Sequence, residues 1–164
     1  MLDRPCPECG FDASTCRVEA VPGLVRENAI AWQRLVGEGR IRSGRTDPSQ
    51  WSSLEYTCHM RDVLRRIDTR IDLMLTQDDP LYASWDQDAS AVDDRYDEQD
   101  PKVVITELTA AADALAARLD RIPESDWQRP GRRSDGASFT VATISCYMLH
   151  ESVHHLRDVA KLTS

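Results

Sequence analysis

The sequence predicts an all-α protein: a four-helix bundle with a long acidic connection between its second and third helices. Three observations carry this reading. Apolar residues recur at intervals of three and four in four separate stretches. Capping residues, prolines and glycines bracket those stretches. No segment alternates polar and apolar residues for long enough to form more than a stray strand pair.

The first helix is expected over about 21–36. Val21, Val25, Trp32 and Leu35 form its stripe, Pro22 stands in the first turn, where a missing N–H costs little, and Gly37 and Gly39 end it. The second is expected over about 53–77. Ser52 and Glu55 have the spacing of a capping box, and Tyr56, Met60, Val63, Leu64, Ile67, Ile71 and Met74 repeat at helical spacing. The third, about 101–121, starts with Asp100 as N-cap and Pro101 in its first position; Val104, Leu108, Ala111, Leu115 and Leu119 make its stripe. The fourth, about 140–162, carries Ala142, Cys146, Leu149, Val153, Leu156 and Ala160 as a bundle seam. A short 3₁₀ piece is expected near 124–127. Between the second and third helices, Asp78 to Asp100 holds nine carboxylates and one arginine. The plain reading is a solvated loop; the sharper one is a lid whose aromatics, Tyr82, Trp85 and Tyr96, cover a pocket.

A chain of 164 residues suits one domain with a real core. The bundle accounts for residues 20–164, and residues 1–19 form a separate cysteine-containing segment. A formal net charge of −8 disfavours nucleic acid as a partner. No apolar run reaches the roughly 18 residues of a membrane span. Five cysteines, with no secretory h-region in Met1 to Gly10, point to a reducing cytoplasm and not to a disulfide framework. The expected partner is a small-molecule substrate, with a homodimer left open. Eighteen arginines against two lysines hint at a GC-rich genome.

Function is carried by the histidines. Three of the four lie in His150-Glu151-Ser152-Val153-His154-His155, and the fourth, His59, lies in the second helix. Residues i and i+4 share a helix face, so His150 and His154 can aim at one point. His59 from a facing helix would complete a three-nitrogen metal site with open positions. Asp62 and Asp158 are spaced to accept the free ring N–H of a ligating histidine. The run also matches the zinc-protease pattern H-E-x-x-H, but no histidine follows His155 to supply the usual downstream ligand. Glu151 is kept as a candidate catalytic group beside the metal.

The lone His59 on a helix, within Leu54-Glu55-Tyr56-Thr57-Cys58-His59-Met60-Arg61-Asp62-Val63-Leu64, followed by His150 and His154 on the last helix, resembles the DinB-like superfamily of metal-binding four-helix bundles. That superfamily includes bacterial thiol S-transferases and mycothiol-dependent maleylpyruvate isomerases. The resemblance covers roughly residues 20–162 and leaves the N-terminal segment outside. It implies that His59, His150 and His154 hold zinc, nickel or a similar divalent ion. It further implies a low-molecular-weight thiol such as mycothiol as cosubstrate, and a thiol S-transferase as the activity. A non-catalytic metal or small-ligand binding protein and a metal-dependent hydrolase are the alternatives.

Two further features stand apart. Cys6-Pro7-Glu8-Cys9-Gly10 has the shape of a zinc knuckle, for which Cys16 and His155 are available as third and fourth ligands. Arg129, Arg132 and Arg133 lie in the loop before the last helix and are candidates to bind an anionic ligand, although a solvated basic loop explains them as well. Cys58 and Cys146 read as small core residues.

Overall fold

A computed structural model describes residues 4–163. The expected segments 1–19 and 20–164 extend beyond these at residues 1–3 and 164. Four long helices form the bundle: α1 (Val21–Gly37), α2 (Ser53–Thr76), α4 (Pro101–Leu119) and α5 (Val141–Leu162), with a short α3 (Gln87–Asp93) in the acidic connection. Both α1 and α2 pack against α4 and α5. The two chain-consecutive helices α1 and α2 therefore face each other across the diagonal.

The expected signals act where the sequence put them. Ser52 and Glu55 form a complete capping box on α2, and the Asp100 side chain caps α4 ahead of Pro101. Thr140 and Thr143 form a second box, on α5. Val25, Trp32, Leu64, Ile71, Leu108, Leu115 and Met148 are buried in one core. The indole N–H of Trp32 donates to Asn28 Oδ1 at 3.1 Å, and the Asn28 amide donates to the Ser152 carbonyl at 3.0 Å, tying α1 to α5. This satisfies polar groups that burial would otherwise leave costly.

Three short strands were not expected: β1 (Leu81–Tyr82), β2 (Pro130–Arg133) and β3 (Ser138–Thr140) form one sheet, β1 parallel and β3 antiparallel to β2. Strands of two to four residues are too short to leave an alternating pattern. Gly131 in β2 is required by packing: a Cβ there would lie 2.7 Å from Met74 Cγ and 2.9 Å from its sulfur.

The acidic connection is more than a solvated loop. Tyr96 is fully buried and donates its hydroxyl to Asp62 Oδ2 at 2.6 Å, while Trp85 packs over His59. The cysteines also depart from expectation. Cys146, read as a small core residue, is disulfide-bonded to Cys16, which removes Cys16 from any ligand set. Not all five thiols are free, as a reducing compartment alone would suggest. Among the described residues no helix is long and apolar enough to cross a membrane.

Candidate metal centres on the last helix

The buried face of α5 carries Val141, Ser145, Met148, Ser152 and Val159. Ser145 and Ser152 are buried there because each hydroxyl donates to a carbonyl one turn back, Val141 at 2.7 Å and Met148 at 3.0 Å. At roughly 100° per residue, Glu151 and His155 then lie at one edge of that face. His150 and His154 lie on the opposite side of the helix, under the N-terminal segment.

The expected trio of His59, His150 and His154 is accordingly divided. One group is His59, Glu151 and His155; another is Cys6, Cys9, His150 and His154. Within each group the donor atoms lie within 4.8 Å of one another. His155, expected at the cysteines, is in the first group. Glu151, expected as a catalytic group beside the metal, stands among the donors.

In the first group, His59 is 1% exposed. Its ring stacks on Trp85 (centroids 5.1 Å apart), leans on Trp51 (4.9 Å) and meets His155 edge-on (4.9 Å). Neither ring nitrogen of His59 has a hydrogen-bond partner, an arrangement that buried polar atoms rarely tolerate. Burial, with the charge of His155 behind it, pushes His59 down to about 3, so it is neutral and its lone pair is free at ordinary pH. His155 Nε2 lies 3.4 Å from Glu151 Oε2 and its Nδ1 lies 3.4 Å from Asp158 Oδ2. Burial opposes protonation of His155, but hydrogen bonds to Asp158 and Glu151 outweigh it and hold the group up at about 9. Burial pushes the Glu151 carboxyl up, and His155 more than reverses this, leaving it below its usual range. Once an ion displaces the Nε2 proton of His155, an unpartnered imidazole, a second imidazole oriented by an outer carboxylate, and a carboxylate make a donor set that fits a divalent ion.

Two of these donors, His59 and Glu151, border a cavity of about 200 Å³ whose walls include Arg66, Arg70, Arg133, Trp85, Tyr147 and Asp135. Arg66 lies over the Trp85 ring at 4.4 Å. The Nε–H of Arg133 is shared between both Asp135 carboxylate oxygens, at 2.9 Å to each. Of the three arginines expected to bind an anion, only Arg133 reaches this cavity. Arg129 donates to the Met74 and Gln77 carbonyls and closes the end of α2, and Arg132 pairs with Asp79 at 2.9 Å. Arg66 and Arg70 carry no sequence signal that sets them apart, because they sit on α2 among other charged residues. Asp62 does not reach His59: it accepts hydrogen bonds from Arg61 at 2.8 Å and from Tyr96.

In the second group, Cys6 Sγ lies 3.6 Å from His154 Nδ1. The backbone N–H groups of Cys9 and Glu8, followed by His150, pull the Cys6 thiol down to about 6. His154 Nε2 faces Asp158 at 3.4 Å and Glu8 at 3.5 Å. Asp158, expected behind His154, thus stands behind both His154 and His155.

A family model of the DinB superfamily matches residues 17–159. The chain belongs to the DinB superfamily. The DinB match begins after Cys6 and Cys9, so the N-terminal cysteine turn is outside the shared region. No curated protein matches the chain. Among solved structures, this DinB-superfamily chain is similar to YfiT from Bacillus subtilis, described as a probable metal-dependent hydrolase with an unusual four-helix bundle topology. The likeness has a TM-score of 0.76 at 15% identity and covers 88% of this chain and 86% of that one. At that identity it establishes the shared fold.

Proposed function

We infer that the chain is a divalent-metal-dependent enzyme acting on a small anionic substrate, with His59, Glu151 and His155 as the metal ligands and water as the nucleophile. The observation that carries this is the donor cluster opening onto an arginine-walled cavity. Two imidazoles and a carboxylate are the ligand set of hydrolytic zinc enzymes and leave positions for water and substrate. When bound, the ion supplies a Lewis acid that polarises a substrate and eases deprotonation of a nucleophile.

The chain's own residues do the rest. Asp158 accepts the Nδ1 proton of His155 and fixes its ring so that Nε2 faces the cluster. Trp85 and Trp51 enclose His59 and keep bulk water off it. Arg66, Arg70 and Arg133 draw an anionic group into the cavity. Tyr147, one turn before Glu151, interacts with Arg133 and offers a hydroxyl to charge developing on the substrate.

Transfer of a low-molecular-weight thiol such as mycothiol, the activity implied by the family resemblance, is the second reading. Its support is the apolar wall of Val63, Ile67 and Trp85 beside the arginines, which would shelter a thiolate from water. A carboxylate ligand leaves less positive charge on the ion than a third imidazole, and so favours thiolate formation less. We place the reaction in the cytoplasm as part of this proposal, with zinc or nickel as the ion.

The test is to assay metal-loaded protein against small esters and amides bearing a carboxylate or phosphate, and in parallel against a thiol panel with a halogenated arene. Metal-dependent hydrolysis, with a raised KM for anionic but not neutral substrates in Arg70→Ala, is expected. Thiol conjugation without hydrolysis would select the second reading. Metal binding with neither reaction would leave a binding protein.

A further inference from the structure

The second donor group belongs to no step above. We propose that Cys6, Cys9, His150 and His154 form a closed, tetrahedral zinc site that joins the N-terminal segment to α5. Its role is structural, and it does not depend on the function inferred for the open cluster.

The distances suit zinc. Bond lengths of about 2.3 Å to sulfur and about 2.1 Å to nitrogen in a tetrahedron put a sulfur and a nitrogen roughly 3.6 Å apart. Cys6 Sγ and His154 Nδ1 are 3.6 Å apart, and all four donors fall within 4.8 Å of one another. Two sulfurs and two imidazoles in a tetrahedral arrangement select zinc over calcium or magnesium. Two thiolates and two neutral imidazoles also balance the charge of a divalent ion.

The turn is built to present sulfur. Cys6 N–H donates to the Phe11 carbonyl at 2.8 Å and Gly10 N–H to the Cys6 carbonyl at 2.8 Å. Gly10 has φ +76°, a left-handed conformation that glycine adopts without strain. The loop so closed aims the backbone N–H groups of Glu8 and Cys9 at the Cys6 sulfur, and that of Phe11 at the Cys9 sulfur. Such contacts favour the thiolate, the ligating form; at Cys9 burial outweighs the Phe11 N–H and holds the thiol above its usual value in the absence of an ion.

The histidine side is equally prepared. His150 Nε2 is buried with no hydrogen-bond partner, and Phe11 stacks on the His150 ring at 5.4 Å. One ring nitrogen of His150 lies within 4.8 Å of both sulfurs, and a buried imidazole nitrogen left without a hydrogen bond is a polar atom that a cation in this cluster would account for. His154 turns Nδ1 to Cys6 and Nε2 to Asp158 and Glu8, the outer carboxylates that fix the tautomer of a ligating histidine.

The covalent context agrees. Cys146, His150 and His154 are spaced by four along α5, and each meets a cysteine of the N-terminal segment: Cys16 through the disulfide, Cys6 and Cys9 through the cluster. Zinc there fixes the rotation of α5, and so the placement of Glu151 and His155, each one residue further along.

The test uses the full chain purified from zinc-supplemented medium. Zinc content is measured by elemental analysis after exchange against a weak chelator, in wild type, in the Cys6→Ser, Cys9→Ser double variant and in His59→Ala. Wild type and His59→Ala should both retain this zinc, and the double variant should lose about one equivalent. Cobalt-substituted wild type and His59→Ala should also show an intense sulfur-to-metal charge-transfer band, a readout that needs no variant of the cysteine turn to fold. Equal zinc in wild type and the double variant, or cobalt bound without a sulfur band, would overturn the proposal.

Discussion

Two ridges of α5, offset by a single residue, do different things. The ridge of Cys146, His150 and His154 meets soft sulfur donors from an added N-terminal segment, and its donor set is complete. The ridge of Tyr147, Glu151 and His155 meets α2 at the bundle edge, groups three donors with His59 among the described residues, and opens onto a cavity. A full set of four donors excludes substrate; three donors beside a cavity admit it. The lesson is that a one-residue step on a helix, about 100°, places two donor clusters of different character within one hexapeptide, which the proposed reading assigns to anchoring and to chemistry.

The comparison breaks most visibly through the ligands. His59→Ala and Glu151→Gln should lower metal-dependent turnover by more than about 100-fold, while Cys6→Ser leaves the metal of the open cluster in place. Metal titration followed by assay checks this; equal losses in both sets would merge the two ridges into one site. The next largest effect is expected at Asp158, which stands behind both His154 and His155. Asp158→Asn should weaken metal binding at both clusters by about 10- to 100-fold, seen as two shifted steps in a competitive chelator titration. A shift at one cluster only would show that the other histidine is oriented without it.

Smaller effects lie outside the ridges and serve as controls. Gly131→Ala must displace Met74 and Tyr82, and should cost about 1–3 kcal/mol in chemical denaturation, with metal content unchanged. Burial raises the Asp62 carboxyl, but Arg61 and the Tyr96 hydroxyl outweigh it and hold the group below its usual 3.8. A carboxyl lowered on folding contributes stability that is fully present above its unfolded value and is lost as pH falls through the folded one. Asp62→Asn should therefore be less stable than wild type near neutral pH, and the gap should narrow well below 3.8. Thermal melts across that range measure it; a gap independent of pH would remove Asp62 from the acid response.

The helices were legible because their stripes, caps and prolines are local. The strands were not, since Leu81 and Tyr82 gain their partners only when β2 arrives from 51 residues away. The site was half legible. The run from His150 to His155 announces metal chemistry, but it contains two i, i+4 pairs, and choosing between them needs the orientation of α5. The apolar stripe read from Ala142, Cys146, Leu149, Val153, Leu156 and Ala160 is centred about one residue away from the face the bundle buries, although Cys146 and Leu149 belong to both. Ser145 and Ser152 look polar in sequence yet are buried by bonding back to their own helix, and Val153 is 36% exposed. That rotation assigned His150 and His154 to His59, when Glu151 and His155 are the residues that meet it. The cysteine turn was recognisable as a knuckle, but its histidine partners lie about 140 residues away in sequence, and only the packing of the N-terminal segment on α5 reveals them.

The most direct measurement is anomalous diffraction at the zinc edge from crystals of the zinc-loaded protein. Two peaks are predicted: one enclosed by Cys6, Cys9, His150 and His154, the other against His59, Glu151 and His155. A single peak shared by His59, His150 and His154 would contradict the division of α5 into two ridges.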